Sequence, residues 1–393
     1  MNKAPIIHSA ISTIILNFIF LSVLYAECYE LNQAECLYWS DFCEWNDETD
    51  ECQEIGSGTT GGGDGEADGP YNFSTITEST GLRNGPDYRD GVVYYPIDAI
   101  PPYKSIVLTP GWGGNGSSMS SWAEFFASHG FIAMTISPND EINDSHEMRA
   151  EGLLDGIETI TQENSRSNSP IFEMIDVNSF SVGGYSMGGG ACQNAAMMDS
   201  SLKAVISLNP TVLFEDCDLC PGEDYDGVTY CICLVPELIN HAVPSLIFAG
   251  EVEINELPAY AGLLGQDIYI NMPNTTDKIL FEGAGDGHGF AAYPYGEVQN
   301  YALNWLKFQV LDDTTACEAL LEIPSSSSEY LTNIECASSI IGDINGDSLV
   351  NVQDVILIVN LILSNGYDIS ADLNLDENLD ILDVVQVVNI ILS

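Results

Sequence analysis

The chain has 393 residues, 45% of them hydrophobic, enough for one large core and one or two small satellite domains. Its 59 acidic residues against 9 basic ones give a formal charge of −50. That balance excludes nucleic acid and anionic membranes as partners, because there is too little cationic surface to displace phosphate counterions.

In chain order, residues 1–26 run from Lys3 through an apolar stretch, 11–24, to the small residue Ala26. A stretch this short, followed at once by a polar cysteine-rich segment, predicts a signal peptide rather than a membrane anchor. No later segment is long and apolar enough to span a bilayer, so the protein is expected to be secreted. Residues 27–54 carry Cys28, Cys36, Cys43 and Cys52 and predict a small two-disulfide module with no chemistry of its own. Residues 55–70 are Gly, Ser, Thr and acids, which cannot bury a core and predict a flexible linker.

From residue 71 onward, short β-branched runs alternate with longer helical ones. The expected fold class is α/β, a mostly parallel central sheet covered by helices over 71–338. Strands are predicted at 105–109, 132–136, 179–183, 204–208, 245–249 and 277–281, and helices at 121–129, 147–163, 188–198 and 295–308. The serine run 325–328 is predicted to be a surface loop lying between Cys317 and Cys336. Residues 339–393 contain an internal repeat, in which an acidic loop precedes an apolar helical run twice, and predict a small all-α domain.

Export makes the eleven cysteines candidates for disulfides. Ten pair within sequence groups, leaving Cys192 as the free thiol. The group Cys217, Cys220, Cys231 and Cys233 offers one C-x2-C and one C-x-C, and the second is a poor tetrahedral chelate, so disulfides are expected there rather than zinc.

Gly184-Tyr185-Ser186-Met187-Gly188 matches G-x-S-x-G, in which glycines permit the tight strand-to-helix turn that presents a serine hydroxyl. The apolar run before it and the small residues after it supply the strand, turn and helix that this motif requires. A serine hydroxyl needs a base, and in this arrangement the base follows the serine in the chain. His8, His129 and His146 precede Ser186, and His241 stands before a predicted strand, at the wrong end of the sheet. His288 remains, in the loop after the strand ending at Phe281. The acid that orients it should follow the preceding strand, where Glu251 and Glu253 are both available, whereas Asp286 is too near His288 along the loop. N–H donors for an oxyanion are expected from Met187, directly after the serine, and from Trp112 in the glycine-rich loop after the first buried strand.

Val93-Tyr-Tyr-Pro96, Pro110-Gly111-Trp112, Ala127-Ser-His-Gly-Phe131, Gly184-Tyr-Ser-Met-Gly-Gly-Gly190, Pro244-Ser-Leu-Ile-Phe-Ala249, His288 and Asn304-Trp-Leu-Lys307 occur in one order. In these pieces the chain resembles the bacterial cutinase and PET-hydrolase family of α/β-hydrolases. The resemblance implies a triad of Ser186, Glu253 and His288, an oxyanion hole from Trp112 and Met187, and a Cys317–Cys336 disulfide. It also marks departures. The family has Asp where this chain has Glu253, its aromatic clamp tryptophan falls at Thr211, and the disulfide beside the active site is replaced by Gly250 and Phe290. The segment from Cys217 to Cys233 looks like an insertion near the site.

The terminal repeat places Asp343, Asn345, Asp347, Asn351 and Asp354 at the same spacing as Asp372, Asn374, Asp376, Asp380 and Asp383. These are the hard oxygen ligands that calcium prefers. The repeat resembles a type I dockerin, which implies Ca²⁺ in both loops and a cohesin-like partner. Leu375 at the position of Gly346 and the pairs Val352-Gln353 and Ile381-Leu382 depart from the family. Catalysis itself is expected to need no cofactor. The expected activity is hydrolysis of carboxylic esters, polyesters included. The alternatives are a lactone hydrolase, or a non-catalytic scaffold or adhesion protein on the same fold.

Overall fold

The computed structural model describes residues 69–211 and 239–336 without a break, and parts of 214–234 and 342–392. Before residue 69 it describes only the strand segments 4–5, 25–26, 43–46 and 51–54. Most of the signal peptide, most of the cysteine-rich module, and residues 55–68 of the linker lie outside the described residues. Residues 1–67 form one compact unit, in which Cys43–Asn46 pairs antiparallel with Glu51–Glu54, and residues 68–393 form the other.

In the larger unit a nine-stranded sheet is built from β1 (Phe73–Ile76), β2 (Asp90–Pro96), β3 (Tyr103–Thr109), β4 (Ile132–Ser137), β5 (Ile175–Tyr185), β6 (Val205–Leu208), β7 (Ser245–Gly250), β8 (Lys278–Gly283) and β9 (Ser327–Thr332). Their spatial order is β9-β8-β7-β6-β5-β3-β4-β2-β1. The six strands from β8 to β4 are mutually parallel. β1, β2 and β9 run antiparallel to their neighbours.

Alternation along the strands sorts side chains to two faces. Ile106 and Leu108 pack with Trp122, Phe126, Phe248 and Trp305, whereas Val107 packs with Val182, Leu153, Ile160 and Cys192. Helices α1 (Ser120–Ser128), α2 (His146–Ser165) and α3 (Met187–Met198) follow β3, β4 and β5, and a later helix, Gly296–Leu311, brings Trp305 to the first face. The Nε1–H of Trp305 donates to the Val205 carbonyl and that of Trp122 to the Ala291 carbonyl, so both buried indoles are satisfied.

The serine run departs from expectation. Ser327 and Ser328 belong to β9, which pairs with β8 from Thr332 opposite Ile279 to Ser327 opposite Gly283. The edge of β8 would otherwise carry an unpaired row of N–H and C=O groups. Only Ser325 and Ser326 remain as a turn, held by the Glu297 carboxylate.

Disulfides join Cys317 to Cys336 and Cys220 to Cys233, and Cys231 is also disulfide-bonded, in keeping with the pairing expected for that group. Cys192 is free and fully buried, and burial pushes its thiol well above the ordinary range. One thiol should therefore titrate with a chromogenic disulfide reagent when the unreduced protein is denatured, and none in the folded protein. Three or more titratable thiols would contradict the pairing.

Beyond the sheet, Val352–Ser364 and Ile381–Leu392 form two helices whose Ile358, Val384 and Val387 pack together with Ala371. Among the described residues no helix is long and apolar enough to cross a membrane.

Candidate active site

β5 ends at Tyr185 and α3 begins at Met187, so Ser186 is the whole turn between them. Its φ of 56° and ψ of −120° place a non-glycine residue in a strained conformation, fixed by four backbone hydrogen bonds. Its N–H donates to Leu208, and its carbonyl accepts from Gly189, Gly190 and Thr211. The turn closes only because its flanks lack side chains. A Cβ on Gly188 would lie 2.4 Å from the Thr109 carbonyl oxygen, and one on Gly184 2.5 Å from the Gly188 carbonyl group.

His288 lies in the loop after β8, 2.8 Å from Ser186 Oγ through its Nε2. Its Nδ1 is 2.5 Å from Glu253 Oε1. Glu253 opens the short helix Glu253–Glu256 directly after β7 and is 0% exposed. A buried carboxylate needs donors for its remaining lone pairs. They come from Asn209 Nδ2, 3.1 Å away, and the Gly250 N–H, 3.0 Å away, both to Oε2. Glu251, the other candidate, faces the exposed loop and accepts the Gly285 N–H instead. His241 is buried against the Gln193 side chain, and burial drives its pKa down to about 4. It has no access to Ser186.

Four positions that support this constellation carry no motif. Asn209 also accepts the Ala291 N–H and, at 3.4 Å, approaches the Gly287 carbonyl, so one amide binds the acid and both flanks of the histidine. Glu256 accepts the His288 N–H at 2.6 Å. The Tyr185 hydroxyl donates to the His288 carbonyl at 2.9 Å. Arg149 reaches the loop that carries Trp112. The local signals were thin: Asn209-Pro210 as a turn after β6, and Glu256 three residues beyond Glu253.

Trp112 and Met187 flank the serine. A Cβ on Gly111 would lie 2.9 Å from Ser186 Cβ, so the loop leading to Trp112 rests against the nucleophile turn. Met187 is the first residue of α3, where N–H groups have no intrahelical acceptor. Neither N–H donates to a backbone carbonyl among the described residues. The arrangement can move the Ser186 proton to His288 and present two N–H groups to a developing oxyanion.

The residues at 211, 250 and 290 are all packed in. Thr211 is buried. Gly250 tolerates no side chain, since a Cβ there would lie 2.3 Å from the Gly287 carbonyl oxygen. Phe290 is buried against Phe248 and Phe281. Close backbone approach at Gly250 and aromatic packing at Phe290 thus fill the two positions.

A family profile described as PETase, PET hydrolase-like, matches residues 48–216, which takes in Trp112, Ser186 and Met187 but ends before Glu253 and His288. Cutinase est2 of Thermobifida alba is 28% identical over 268 residues, 68% of this chain and 78% of that protein. Cutinase 1 of Thermobifida cellulosilytica is 27% identical over 253 residues, 64% of this chain and 85% of that protein. These findings support a cutinase and PET hydrolase-like family. The protein is a serine carboxylic ester hydrolase. A bis(hydroxyethyl) terephthalate hydrolase of Streptomyces coelicolor also matches this esterase, 26% identical over 261 residues, 66% of this chain and 74% of that protein.

The second candidate site of the esterase is the terminal repeat. The Asp354 carboxylate is buried and accepts the N–H groups of Ile344, Asn345 and Asn351. Asp383 repeats this with Leu373, Asn374 and Asp380. Asp372 accepts the Asp376 N–H, and the Asn374 amide donates to Asp376. Asp380 accepts the Leu382 N–H. Asp347 lies outside the described residues. Among the described residues no three His, Cys, Asp or Glu side chains converge on one point. The side chains that both loops offer are Asp and Asn oxygens, hard donors.

Proposed function

We propose that the esterase is exported and cleaves esters, polyesters among them, by acyl transfer through Ser186. The observation that carries this reading is the unbroken run of hydrogen bonds from buried Glu253 through His288 to Ser186. Ser186 Oγ attacks the ester carbonyl while its proton passes to His288 Nε2, and the N–H groups of Trp112 and Met187 hold the oxyanion. The C–O bond to the alcohol then breaks, and the alcohol leaves with the proton from Nε2. Water attacks the acyl-enzyme, returns a proton through His288, and releases the acid and free Ser186. Glu253 holds the imidazole in the tautomer that accepts from serine throughout.

Two cutinases and a terephthalate-ester hydrolase among the relatives favour polymeric or bulky esters as substrates. Trp112, 63% exposed, with Ile142 and Ile254 also exposed, offers an apolar face for them. The purified protein should turn over p-nitrophenyl esters of short acyl chains and release soluble acid from amorphous polyester film. Ester turnover no higher than that of Ser186→Ala would overturn the reading. The Cys317–Cys336 and Cys220–Cys233 disulfides support an oxidising compartment and so export.

We further infer that the terminal repeat is a dockerin-like calcium unit that attaches the enzyme to a cohesin-like partner. Asp343, Asn345, Asp347, Asn351 and Asp354 would hold one ion, and Asp372, Asn374, Asp376, Asp380 and Asp383 the other. The partner would meet the exposed Val352, Ile356, Ile381, Leu382 and Val385. Like charges crowded into one loop repel, and a divalent cation removes that cost and fixes the helix that follows. A segment spanning 339–393 should therefore gain helical circular dichroism with Ca²⁺ and lose it with chelator, while 70–338 alone keeps esterase activity. Equal helicity in chelator would remove the metal from the account.

A further inference from the structure

Arg149 lies in the first turn of α2 and is 1% exposed, one of the largest fully buried side chains of the protein. Burying a guanidinium is costly, and a neutral donor could tie two loops together more cheaply. Among its partners are four backbone carbonyls, and its charge also bears on the Asp140 carboxylate. Nε donates to the Asp144 carbonyl at 3.2 Å and Nη2 to the Glu141 carbonyl at 2.9 Å. Nη1 sits between two carbonyls of the loop after β3, Pro110 at 3.2 Å and Gly111 at 3.4 Å.

The Gly111 carbonyl and the Trp112 N–H are the two ends of one planar trans peptide and point in opposite directions. Holding the oxygen from behind, as Arg149 Nη1 does together with the Gly114 N–H at 3.1 Å, therefore fixes the direction of the N–H. A cation on that oxygen also polarises the peptide and strengthens its N–H as a donor. The rest of Trp112 is held from the same side. The Gly113 N–H donates to the Glu141 carbonyl at 2.8 Å, the same oxygen that Arg149 Nη2 grips. Trp112 Nε1 donates to the Ile142 carbonyl at 3.1 Å.

We propose that Arg149 is a positioning residue for ester hydrolysis: bonded to the carbonyl of the Gly111–Trp112 peptide, it aims and polarises the Trp112 N–H toward the oxyanion. The proposal rests on the reading in which Ser186 attacks and Trp112 binds the oxyanion. A donor that acts only on developing charge lowers kcat more than it alters substrate binding.

The test uses the full-length protein with Arg149→Met and Arg149→Lys, the latter keeping a cation that cannot reach all four carbonyls. With p-nitrophenyl butyrate, kcat should fall about 10- to 100-fold while KM stays within about 3-fold, short of the roughly 10²- to 10³-fold loss on removing one oxyanion donor outright. Affinity for a boronic acid, whose serine adduct is a tetrahedral anion, should fall in parallel with kcat. Affinity for the butyramide analogue, which stays planar and neutral, should not change. A purely structural role predicts that both ligands weaken together and that activity follows the folded fraction, and that outcome overturns the proposal. So does a kcat within about 2-fold of the parent in either folded variant. If neither variant folds, the parent decides: its Trp112 amide proton must move downfield on forming the boronate adduct, and no shift overturns the proposal. Loss of the serine reading would register separately, as undiminished turnover by Ser186→Ala.

Discussion

Ser186→Ala abolishes ester turnover, lowering kcat by about 10⁴- to 10⁶-fold, and His288→Ala does nearly the same, because groups that act as one unit lose their effect together. The geometry gives the reason. Ser186 Oγ has a base 2.8 Å away, and each residue is idle without the other. The double variant should therefore be hardly slower than either single one, the residual rate coming from the N–H groups and substrate binding. Stability should change by less than about 1 kcal/mol in Ser186→Ala, since the turn at φ 56° is held by the backbone bonds to Leu208, Gly189, Gly190 and Thr211. Stopped-flow or steady-state rates on a p-nitrophenyl ester, beside a thermal melt, measure both. Full activity in the serine variant would remove Ser186 from the mechanism, and additive losses in the double variant would remove His288 as its base.

How far this site was legible depends on how local its signals are. The parallel strands β3 to β8 are mostly buried, and short apolar runs mark them in the chain. The edge strands gave no such mark. Phe73–Ile76 has one buried residue in four and Ser327–Thr332 has none, so hydrophobic patterning had nothing to report, and the serine run passed for a loop. Ser186 announces itself through glycines that the turn physically requires, and His288 through chain order among only five histidines. The supporting residues announce nothing, because their partners are remote. Asn209 meets Glu253 across 44 positions, Glu256 meets His288 across 32, and Tyr185 meets His288 across 103. Arg149 reads locally as one more charge on an amphipathic helix, and only the fold turns it inward to the Trp112 loop.

Glu253→Gln should cost about 10³- to 10⁴-fold in kcat, the scale seen when the acid of such a triad becomes its amide. The loss follows from counting donors. The carboxylate is wholly buried and faces donors on both oxygens: His288 Nδ1–H on Oε1, and the Asn209 amide with the Gly250 N–H on Oε2. A glutamine has one acceptor and one donor end. With its oxygen toward His288, its NH₂ meets two other donors and leaves them unpaired in a dry site. With its NH₂ toward His288, Nδ1 must become the acceptor and the proton moves to Nε2, where it blocks acceptance from Ser186. Either orientation defeats the base. Glu251→Gln keeps an oxygen for the exposed Gly285 N–H and should change kcat less than about 3-fold, as a solvent-exposed hydrogen bond with a neutral replacement contributes little. Matched kcat measurements on the two amide variants decide between the carboxylates: a large loss at 251 with little change at 253 would transfer the orienting role to Glu251.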